Sequence, residues 1–359
     1  MKKLFFILIV LFSICQQSNA QGCVAIKSTG AVCTKNDAAT NAATKGWQLN
    51  TNYRYYKSFR HYRERHEEKE RVEKGSDVRN FSHSLDLGLV RTIDSRWSLG
   101  VNLPIIATRR SSLYEHDGKT RHSTFSFGVG DMRISAYRWM LNPAKMPKGN
   151  IQMGLGIKLP TGDYKYQDFF YKNDSTKILA PVDQSIQLGD GGTGLTAEIN
   201  AYYNISRKVS VYGTFYYLLN PREQNGVSTA RGATPSAANI ANGSYVMSVP
   251  DQYMIRAGAN FTFNNLTLSA GFRDECLPAS DLAGGSNGFR RPGYIISAEP
   301  GVTYNFKKIT AYAFVPVALV RNRTQSEPDK IRTRLTGTRT VGDAAFADYA
   351  VNIGFSFKL

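Results

Sequence analysis

The chain has 359 residues, of which 45 are Lys or Arg and 28 are Asp or Glu, so its formal net charge is +17. Its mean hydropathy is -0.33, and beyond residues 1–20 no stretch approaches the roughly 18 to 20 apolar residues that a membrane helix needs. Composition and hydropathy therefore exclude a helical membrane protein, whereas the length allows two soluble domains or one large closed sheet. The 20 Tyr, 19 Phe and 31 Gly favour a β-rich chain.

Residues 1–20 have the pattern of a secretory signal peptide. Lys2 and Lys3 form a charged start, an apolar run follows, and Ser18-Asn19-Ala20 is a small-residue cleavage site. The mature chain is then predicted to begin at Gln21. A lipoprotein would need Cys15 or Cys23 as its anchor, and neither follows a suitable sequence.

Residues 21–44 are predicted to form a periplasmic N-terminal segment. Cys23 and Cys33 flank a short Gly-containing stretch and could close a disulfide loop in an oxidising compartment. Metal binding by the two thiols is the alternative, but the stretch between them contains no His or acidic residue. Since Cys15 leaves with the signal peptide, Cys276 is predicted to have no disulfide partner. The polar stretch 34–44 is predicted to be a linker or a partial plug.

From residue 45 to residue 359 the chain alternates between apolar and polar residues. The final segment is the clearest: Tyr349, Val351, Ile353, Phe355, Phe357 and Leu359 share one face. Such alternation is typical of a strand with lipid or core on one side and water on the other. Twelve such segments are predicted: 46–60, 79–92, 97–105, 124–141, 150–164, 194–204, 208–219, 251–263, 266–273, 293–306, 309–320 and 344–359.

The connectors alternate between short and long, as they do in outer-membrane barrels with short periplasmic turns. Short connectors lie near residues 94, 142–149, 206–207, 264–265 and 307–308, and long ones at 61–78, 111–121, 165–184, 220–250, 276–292 and 321–343. A periplasmic aromatic girdle is predicted from Trp47, Trp97, Trp139, Tyr203, Phe263, Phe306 and Phe357. The predicted fold is therefore all-β, a transmembrane antiparallel up-and-down β-barrel of about 12 strands in the bacterial outer membrane.

Three glycine-aspartate elements lie in the middle of the chain. They are Phe127-Gly-Val-Gly-Asp131, Lys158-Leu-Pro-Thr-Gly-Asp163 and Gly189-Asp190-Gly191. Residues 189–194 also match the G-x-G-x-x-G dinucleotide pattern, but an alternating strand follows instead of a helix. In these elements the chain resembles the outer-membrane transporter family of the phenol-degradation meta-pathway, which is distantly similar to the fatty-acid channels. The resemblance covers residues 125–203 and implies passage of small, often hydrophobic, compounds.

The alternation changes phase inside the segment that begins at Thr124. Phe125, Phe127 and Val129 lie in one phase and Met132, Ile134 and Ala136 in the other, which predicts a one-residue bulge near Gly130. The predicted lumen-lining side chains are Arg54, Asp86, Asp131, Arg133, Lys158, Glu198, Arg256, Arg273 and Glu299. Two interpretations remain equal: a salt-bridged interior that fills the barrel, and a solute-selecting channel.

No catalytic site, cofactor site or metal site is predicted, and the protein is not expected to be an enzyme. A barrel hydrolase needs Ser and His on one face, whereas His83 and Ser84 are adjacent and face oppositely. The predicted function is passage of small hydrophobic or anionic solutes, and the alternative is a structural or adhesive barrel that binds a surface partner through its long loops. The expected partners are outer-membrane lipid, lipopolysaccharide and the barrel-assembly machinery; nucleic acid is not expected, despite the basic charge. The charged loop at 60–74 is predicted to be external.

Overall fold

A computed structural model describes residues 46–359 of the chain. The predicted signal peptide, the segment 21–44 and the Cys23–Cys33 disulfide lie outside the described residues. Within residues 46–359, no helix is both long enough and apolar enough to cross a membrane.

Twelve antiparallel strands close into one barrel, which confirms the predicted fold class. The first strand pairs with the last over most of its length, so that the sheet has no open end. The strands are β1 Gly46–Arg63, β2 Arg79–Thr92, β3 Trp97–Ser112, β4 His122–Val129 with Arg133–Trp139, β5 Gly149–Lys158, β6 Gly194–Asn204, β7 Val209–Leu219, β8 Gln252–Phe263, β9 Leu266–Leu277, β10 Gly293–Asn305, β11 Ile309–Phe314 with Val317–Arg323, and β12 Ala344–Lys358.

The alternation in the sequence separates two faces of the wall. In β12 the side chains of Tyr349, Ile353 and Phe355 are exposed, whereas those of Asn352 and Ser356 are buried. The same division holds around the barrel, where the outward apolar side chains form a continuous belt; these include Leu85, Leu99, Phe127, Leu155, Leu195, Ile255, Phe272 and Leu319. An apolar belt outside and polar residues inside is the arrangement that a lipid bilayer requires of a barrel.

The predicted bulge is present and interrupts β4. Ile105 of β3 pairs with Val129, and Asn102 pairs with Arg133, so β4 advances four residues where β3 advances three. The single extra residue reverses the phase. As a result Phe127 faces outward before the interruption and Ile134 after it, while Arg133 is buried.

The wall is incomplete on one side of the interruption. Strand β5 ends at Lys158, which pairs with Arg133, and not at Tyr164 as the sequence had suggested. The upper part of β4 consequently pairs with β3 but not with β5. The connection 159–193 covers this edge, and the backbone amide of Phe125 donates to the carboxylate of Asp168 at 2.7 Å.

The connectors confirm the predicted parity. Those at 93–96, 140–148, 205–208, 264–265 and 306–308 are short, and the others are long. The long connections carry two small hairpins, Gln167–Tyr171 with Lys177–Pro181 and Gln224–Ser228 with Val246–Ser248. They also carry three helices: α1 Glu70–Glu73, α2 Ala237–Ala241 and α3 Glu327–Thr336. Helix α3 begins with a reciprocal cap between Ser326 and Asp329 and ends at Gly337, which has φ of 68°.

The aromatic girdle differs from its prediction at one position. Trp47 and Trp97 are exposed at the end with short turns, together with Tyr203, Phe263 and Phe306. Trp139 is buried instead and packs edge-on against Tyr202. The reason is the bulge in β4, which places Trp139 in the inward phase with Arg133 and brings Arg138 outward, over the ring of Trp97.

Candidate functional site: a charged lumen and its external rim

Five charged side chains from four strands form an ion-paired bar inside the barrel, called here the lumen bar: Arg54, Arg256, Arg273, Glu275 and Glu299. Arg54 donates two hydrogen bonds to the carboxylate of Glu275, at 2.8 and 2.9 Å. Arg54 lies on β1 and Glu275 on β9, and three other strands separate these two in the wall. The pair therefore crosses the lumen and does not follow the wall.

Glu299 is the centre of the other half of the lumen bar. Its side chain is fully buried and accepts hydrogen bonds from the guanidinium groups of both Arg256 and Arg273. Arg273 also reaches Glu275 at 3.4 Å, which joins the two halves. Three guanidinium groups thus share two carboxylates in an interior where an unpaired charge is expensive. Arg256 further stacks over the rings of Tyr212 and Phe314.

A second cluster lies at the interruption of β4. Lys158 is 3.2 Å from the carboxylate of Asp131 and also pairs with Asp190. Asp131 accepts hydrogen bonds from the backbone amides of Gly162 and Asp190, at 3.0 and 3.2 Å. The three glycine-aspartate elements of the sequence therefore meet at one point, where they hold the connection 159–193 against the end of β5.

Glycine is required at this junction by close packing of two backbones. A Cβ at Gly162 would lie 2.8 Å from the backbone of Leu188 and Gly189, and a Cβ at Gly189 would lie 2.5 Å from the carbonyl oxygen of Gly162. Real Cβ atoms do not approach other atoms this closely. The motif that carried the family resemblance is thus a structural joint between wall and loop.

Arg133 lies beside this joint and faces a small chamber. Its guanidinium donates to the hydroxyl of Tyr216 and to the side-chain oxygen of Asn102, both at 3.0 Å. The chamber has a volume of about 100 Å³. Its apolar lining comes from Pro104, Ile106, Leu188, Tyr216, Leu218 and Leu277. Glu198 lies elsewhere on the inner face, where its carboxylate accepts from Tyr137 at 3.2 Å.

A third cluster, the rim cluster, lies at the end of the barrel with the long loops and consists of Arg110, Glu115, Asp183, Arg231 and Arg291. Arg110 holds Glu115 at 2.8 Å, and Arg231 holds the same carboxylate at 2.6 Å. Arg291 donates two hydrogen bonds to Asp183, at 2.8 and 2.7 Å. Four long connections and the upper end of β3 are joined by these contacts.

The electrostatics of the rim cluster favour the ionised carboxylates. Burial raises the pKa of Asp183, but the guanidinium groups of Arg110 and Arg291 outweigh burial and hold it well below the ordinary value. Burial acts in the same way on Glu115, and the pKa of its carboxyl is also lowered, mainly by Arg110. Both side chains therefore remain charged at neutral pH.

A cavity of about 320 Å³ adjoins the rim cluster. Five arginines and four carboxylates line it: Arg231, Arg290, Arg291, Arg323, Arg332, Glu115, Asp183, Asp329 and Asp343. The segment 182–190 separates this cavity from the chamber beside Arg133. Val182 and Asp183 line the outer cavity, and Gln184, Gln187, Leu188, Gly189 and Asp190 line the inner chamber.

The predicted lumen residues are placed on the inner face. Arg54, Asp86, Arg133, Lys158, Arg256, Arg273 and Glu299 are buried, and Asp131 and Glu198 are half-buried. Four of the nine belong to the lumen bar, and two, Asp131 and Lys158, belong to the cluster at the interruption. Glu275 was missed because the predicted strand ended at Arg273, although Glu275 is in phase with it. Asp190 and most of the rim cluster lie in loops, where alternation gives no signal.

The histidines and possible metal ligands are occupied in other ways. His61 is buried, with its Nδ1 atom 2.6 Å from the carboxylate of Asp343 and its Nε2 atom accepting from the amide of Val78 at 2.8 Å. His122 stacks on Tyr171, with 4.0 Å between ring centroids.

Across residues 46–359, no group of three or more His, Cys, Asp or Glu side chains is arranged to hold a metal ion. The thiol of Cys276 is buried.

Neither a protein-family model nor a curated protein matches this sequence. Among solved structures, the chain is similar to an outer membrane channel from Pseudomonas putida F1, with a TM-score of 0.55 and 13% identity over 88% of this chain and 96% of that chain. The toluene transporter TodX of P. putida gives 0.46 and 10% over 96% and 99%. A FadL homologue of Pseudomonas aeruginosa gives 0.43 and 11% over 93% and 94%.

The similarity to the P. putida F1 channel, together with strand pairing and the apolar belt, confirms the fold that the glycine-aspartate resemblance implied. The chain is a closed, 12-stranded β-barrel of the bacterial outer-membrane type.

Proposed function

We propose that the protein is an outer-membrane channel for small solutes, entered from outside through the cavity at the rim cluster. The observation that carries this proposal is the succession of two cavities along the barrel, with the segment 182–190 between them. A barrel that served only as a scaffold would have no need of lined cavities on both sides of one loop segment. The similar structure from P. putida F1 is an outer membrane channel, which agrees with this role.

The chemistry of the outer cavity favours anions. Arginines outnumber carboxylates in its lining, and guanidinium groups bind carboxylate and phosphate in planar, two-point geometry. Arg332 is half-buried and forms no ion pair within residues 46–359. The inner chamber, in contrast, is largely apolar, with Arg133, Lys158, Asp131 and Asp190 at its border. A small organic acid with an apolar body matches both environments in turn.

Passage requires two rearrangements of this structure. The segment 182–190 has to leave the rim cluster, and the lumen bar has to open between Arg54 and Glu275. An arriving carboxylate can replace Asp183 beside Arg110 and Arg291, so the charges need not become unpaired during the exchange. Because the solute binds the open state at the site that Asp183 occupies in the closed state, its binding shifts the segment towards the open position.

Liposome swelling with purified, refolded protein tests this function. We expect faster swelling in small monocarboxylates than in neutral sugars of similar size, and we expect the Asp183→Asn variant to increase permeability because it releases the segment 182–190. Glu327→Gln is the matched control, because it removes the same charge at a position of helix α3 that does not line the cavity. Proteoliposomes that stay sealed to every solute, with the wild type and with Asp183→Asn, would exclude a channel.

A structural or adhesive barrel is the second candidate. The observation that favours it is the lumen bar, since buried ion pairs between distant strands brace the interior. Adhesion through the connection 220–250 is tested with Ile240→Asp, on its exposed helix α2. Arg231 and Asn225 of the same connection are less suitable, because they are held by hydrogen bonds to Glu115 and to the backbone carbonyl of Asp190. Loss of partner binding by this variant, with sealed liposomes for the wild type, would favour adhesion over transport.

A further inference from the structure

A row of outward-facing side chains crosses β1, β2, β3 and β4 near the end with the long loops. Lys57 pairs with Phe81, Phe81 with Arg109, and Arg109 with Phe125 in the strand register. The Nζ atom of Lys57 lies 5.6 Å from the centroid of the Phe81 ring, and the guanidinium carbon of Arg109 lies 4.4 Å from it. Two cations thus approach the same aromatic ring from the two strands that flank it, and Lys57 also lies over the ring of Phe59 at 4.5 Å.

The row lies just beyond the apolar belt. Arg109 is twelve residues above Trp97 of the periplasmic girdle on the same strand. At about 3.3 Å per residue and a strand tilt of about 40°, this is about 30 Å along the membrane normal, whereas the apolar band of a barrel is about 25 Å tall. Lys57 and Arg109 are therefore at the level of the lipid headgroups in the outer leaflet.

Neither cation has an ionic partner in the part of the chain that the structure describes. No ion pair involves Lys57 or Arg109 among residues 46–359, although most arginines of the lumen and rim are paired. Cations on the membrane-facing wall are costly unless a counter-charge accompanies them. At comparable height on the opposite wall, the paired outward residues Tyr217 and Tyr253 carry no charge. The two cations therefore have no counterpart at these two positions.

We propose that Lys57 and Arg109 form a binding site for the phosphate of a phosphorylated glycolipid in the outer leaflet, with the Phe81 ring supporting both cations. Lipopolysaccharide carries phosphate groups on its membrane anchor, at the depth where the row lies. Lysine and arginine bind phosphate through charge-assisted hydrogen bonds, and the exposed ring of Phe125 continues the row with an apolar surface for the sugar or acyl portion. The site faces lipid, so it is independent of whether the lumen conducts.

Lipid binding to the full-length protein in detergent, measured by native mass spectrometry, tests the proposal. The probes are diphosphorylated lipid A, the same lipid without phosphates, and inorganic phosphate. We expect the double variant Lys57→Gln and Arg109→Gln to bind diphosphorylated lipid A roughly tenfold more weakly or worse. The dephosphorylated lipid is expected to bind the wild type weakly and to show no difference between the two proteins.

The barrel offers a matched control at its other end. Arg91 stacks over Trp47 and Arg138 over Trp97, at 5.1 and 5.3 Å, so Arg91→Gln with Arg138→Gln removes the same charge from the same kind of contact at the periplasmic girdle. This control should retain wild-type binding of lipid A. Equal loss in both double variants, or no loss in the first, would overturn the assignment.

Two further measurements cover the remaining outcomes. If inorganic phosphate competes with lipid A at similar concentration, the row is a simple anion site and the glycolipid assignment is wrong. If the double variant fails to fold, the wild-type comparison of phosphorylated with dephosphorylated lipid A decides alone: equal affinities would refute a phosphate site.

Discussion

The lumen bar and the rim cluster contain the same chemistry but are built on different supports. In the lumen bar, all five side chains project from strands β1, β8, β9 and β10, whose positions are fixed by continuous ladders. In the rim cluster, only Arg110 belongs to a strand, and Glu115, Asp183, Arg231 and Arg291 lie in four different connections. Buried charges brace a continuous wall in the first region and hold four separate connections together in the second.

This difference indicates which parts of the barrel can open locally. Breaking a strand-borne pair leaves the remaining charge buried, because the wall cannot retreat from it. Breaking a loop-borne pair allows the connection to open towards water, where the freed charge is solvated at little cost. We therefore expect variants of the lumen bar to change global stability and variants of the rim cluster to change local opening.

The largest effect is expected from Glu299→Gln in the lumen bar. The substitution removes the carboxylate that Arg256 and Arg273 share, and both guanidinium groups stay buried, so the free energy of unfolding should fall by about 3–5 kcal/mol. Urea unfolding in lipid vesicles, followed by tryptophan fluorescence, measures this loss.

Glu198→Gln is the matched control for Glu299→Gln. Glu198 is also an inward glutamate, but its carboxylate is bonded to a tyrosine hydroxyl and forms no ion pair within residues 46–359. Its loss should cost about 1 kcal/mol. Equal destabilisation by the two variants would show that the ion pairs of Glu299 stabilise the barrel no more than the hydrogen bond between Tyr137 and Glu198 does.

Gly162→Ala tests the close packing that holds the connection 159–193 against the end of β5. The added methyl would contact the backbone of Leu188 and Gly189, which cannot rotate away, and we expect a loss of about 1–3 kcal/mol. At Gly213 an added Cβ would find only the Arg256 carbonyl oxygen, at 3.9 Å, so Gly213→Ala is the control. A Gly162→Ala protein as stable as this control would show that the connection 159–193 is held elsewhere.

The comparison also explains what the sequence could predict. Alternation placed Arg54, Arg256, Arg273 and Glu299 on the inner face because a strand period of two leaves no other choice. The reversal of phase around Gly130 likewise predicted the bulge, since one extra residue must exchange the faces. The strand pairing that brings Arg54 to Glu275 follows from barrel closure, which alternation alone does not describe.

The rim cluster was beyond prediction for a physical reason. Asp183, Arg231 and Arg291 are more than forty residues apart along the chain and lie in connections with no periodic pattern. Their meeting depends on how each loop folds back over the barrel, and this is determined by long-range contacts. Trp139 departs from the predicted girdle for a different reason: the one-residue bulge exchanges the faces of every later residue of β4, so that Trp139 turns inward.

Asp183→Asn should loosen the rim without unfolding the wall. The variant weakens the contacts of the segment 182–190 with Arg110 and Arg291, a loss of about 2 kcal/mol that corresponds to roughly thirtyfold faster opening. Amide hydrogen exchange of Ser185, Ile186 and Leu188 should accelerate by this factor, while the amides of β12 keep their protection. Acceleration that extends to β12 would contradict the separation of rim and wall.

Acid should reproduce the Asp183→Asn effect in the wild type. The folded pKa of Asp183 is lowered, so its contribution to the closed rim is complete above the ordinary carboxyl pKa, about 4, and is lost as the pH falls through the lowered value. The pKa of Glu115 is lowered too, so it acts in the same direction. Corrected for intrinsic exchange chemistry, the opening of the segment 182–190 should not change between pH 7 and about pH 5 and should increase below pH 4. Asp183→Asn should reduce this acid response, because only the contribution of Glu115 remains. An equally strong response in the variant would assign the acid sensitivity to other carboxylates.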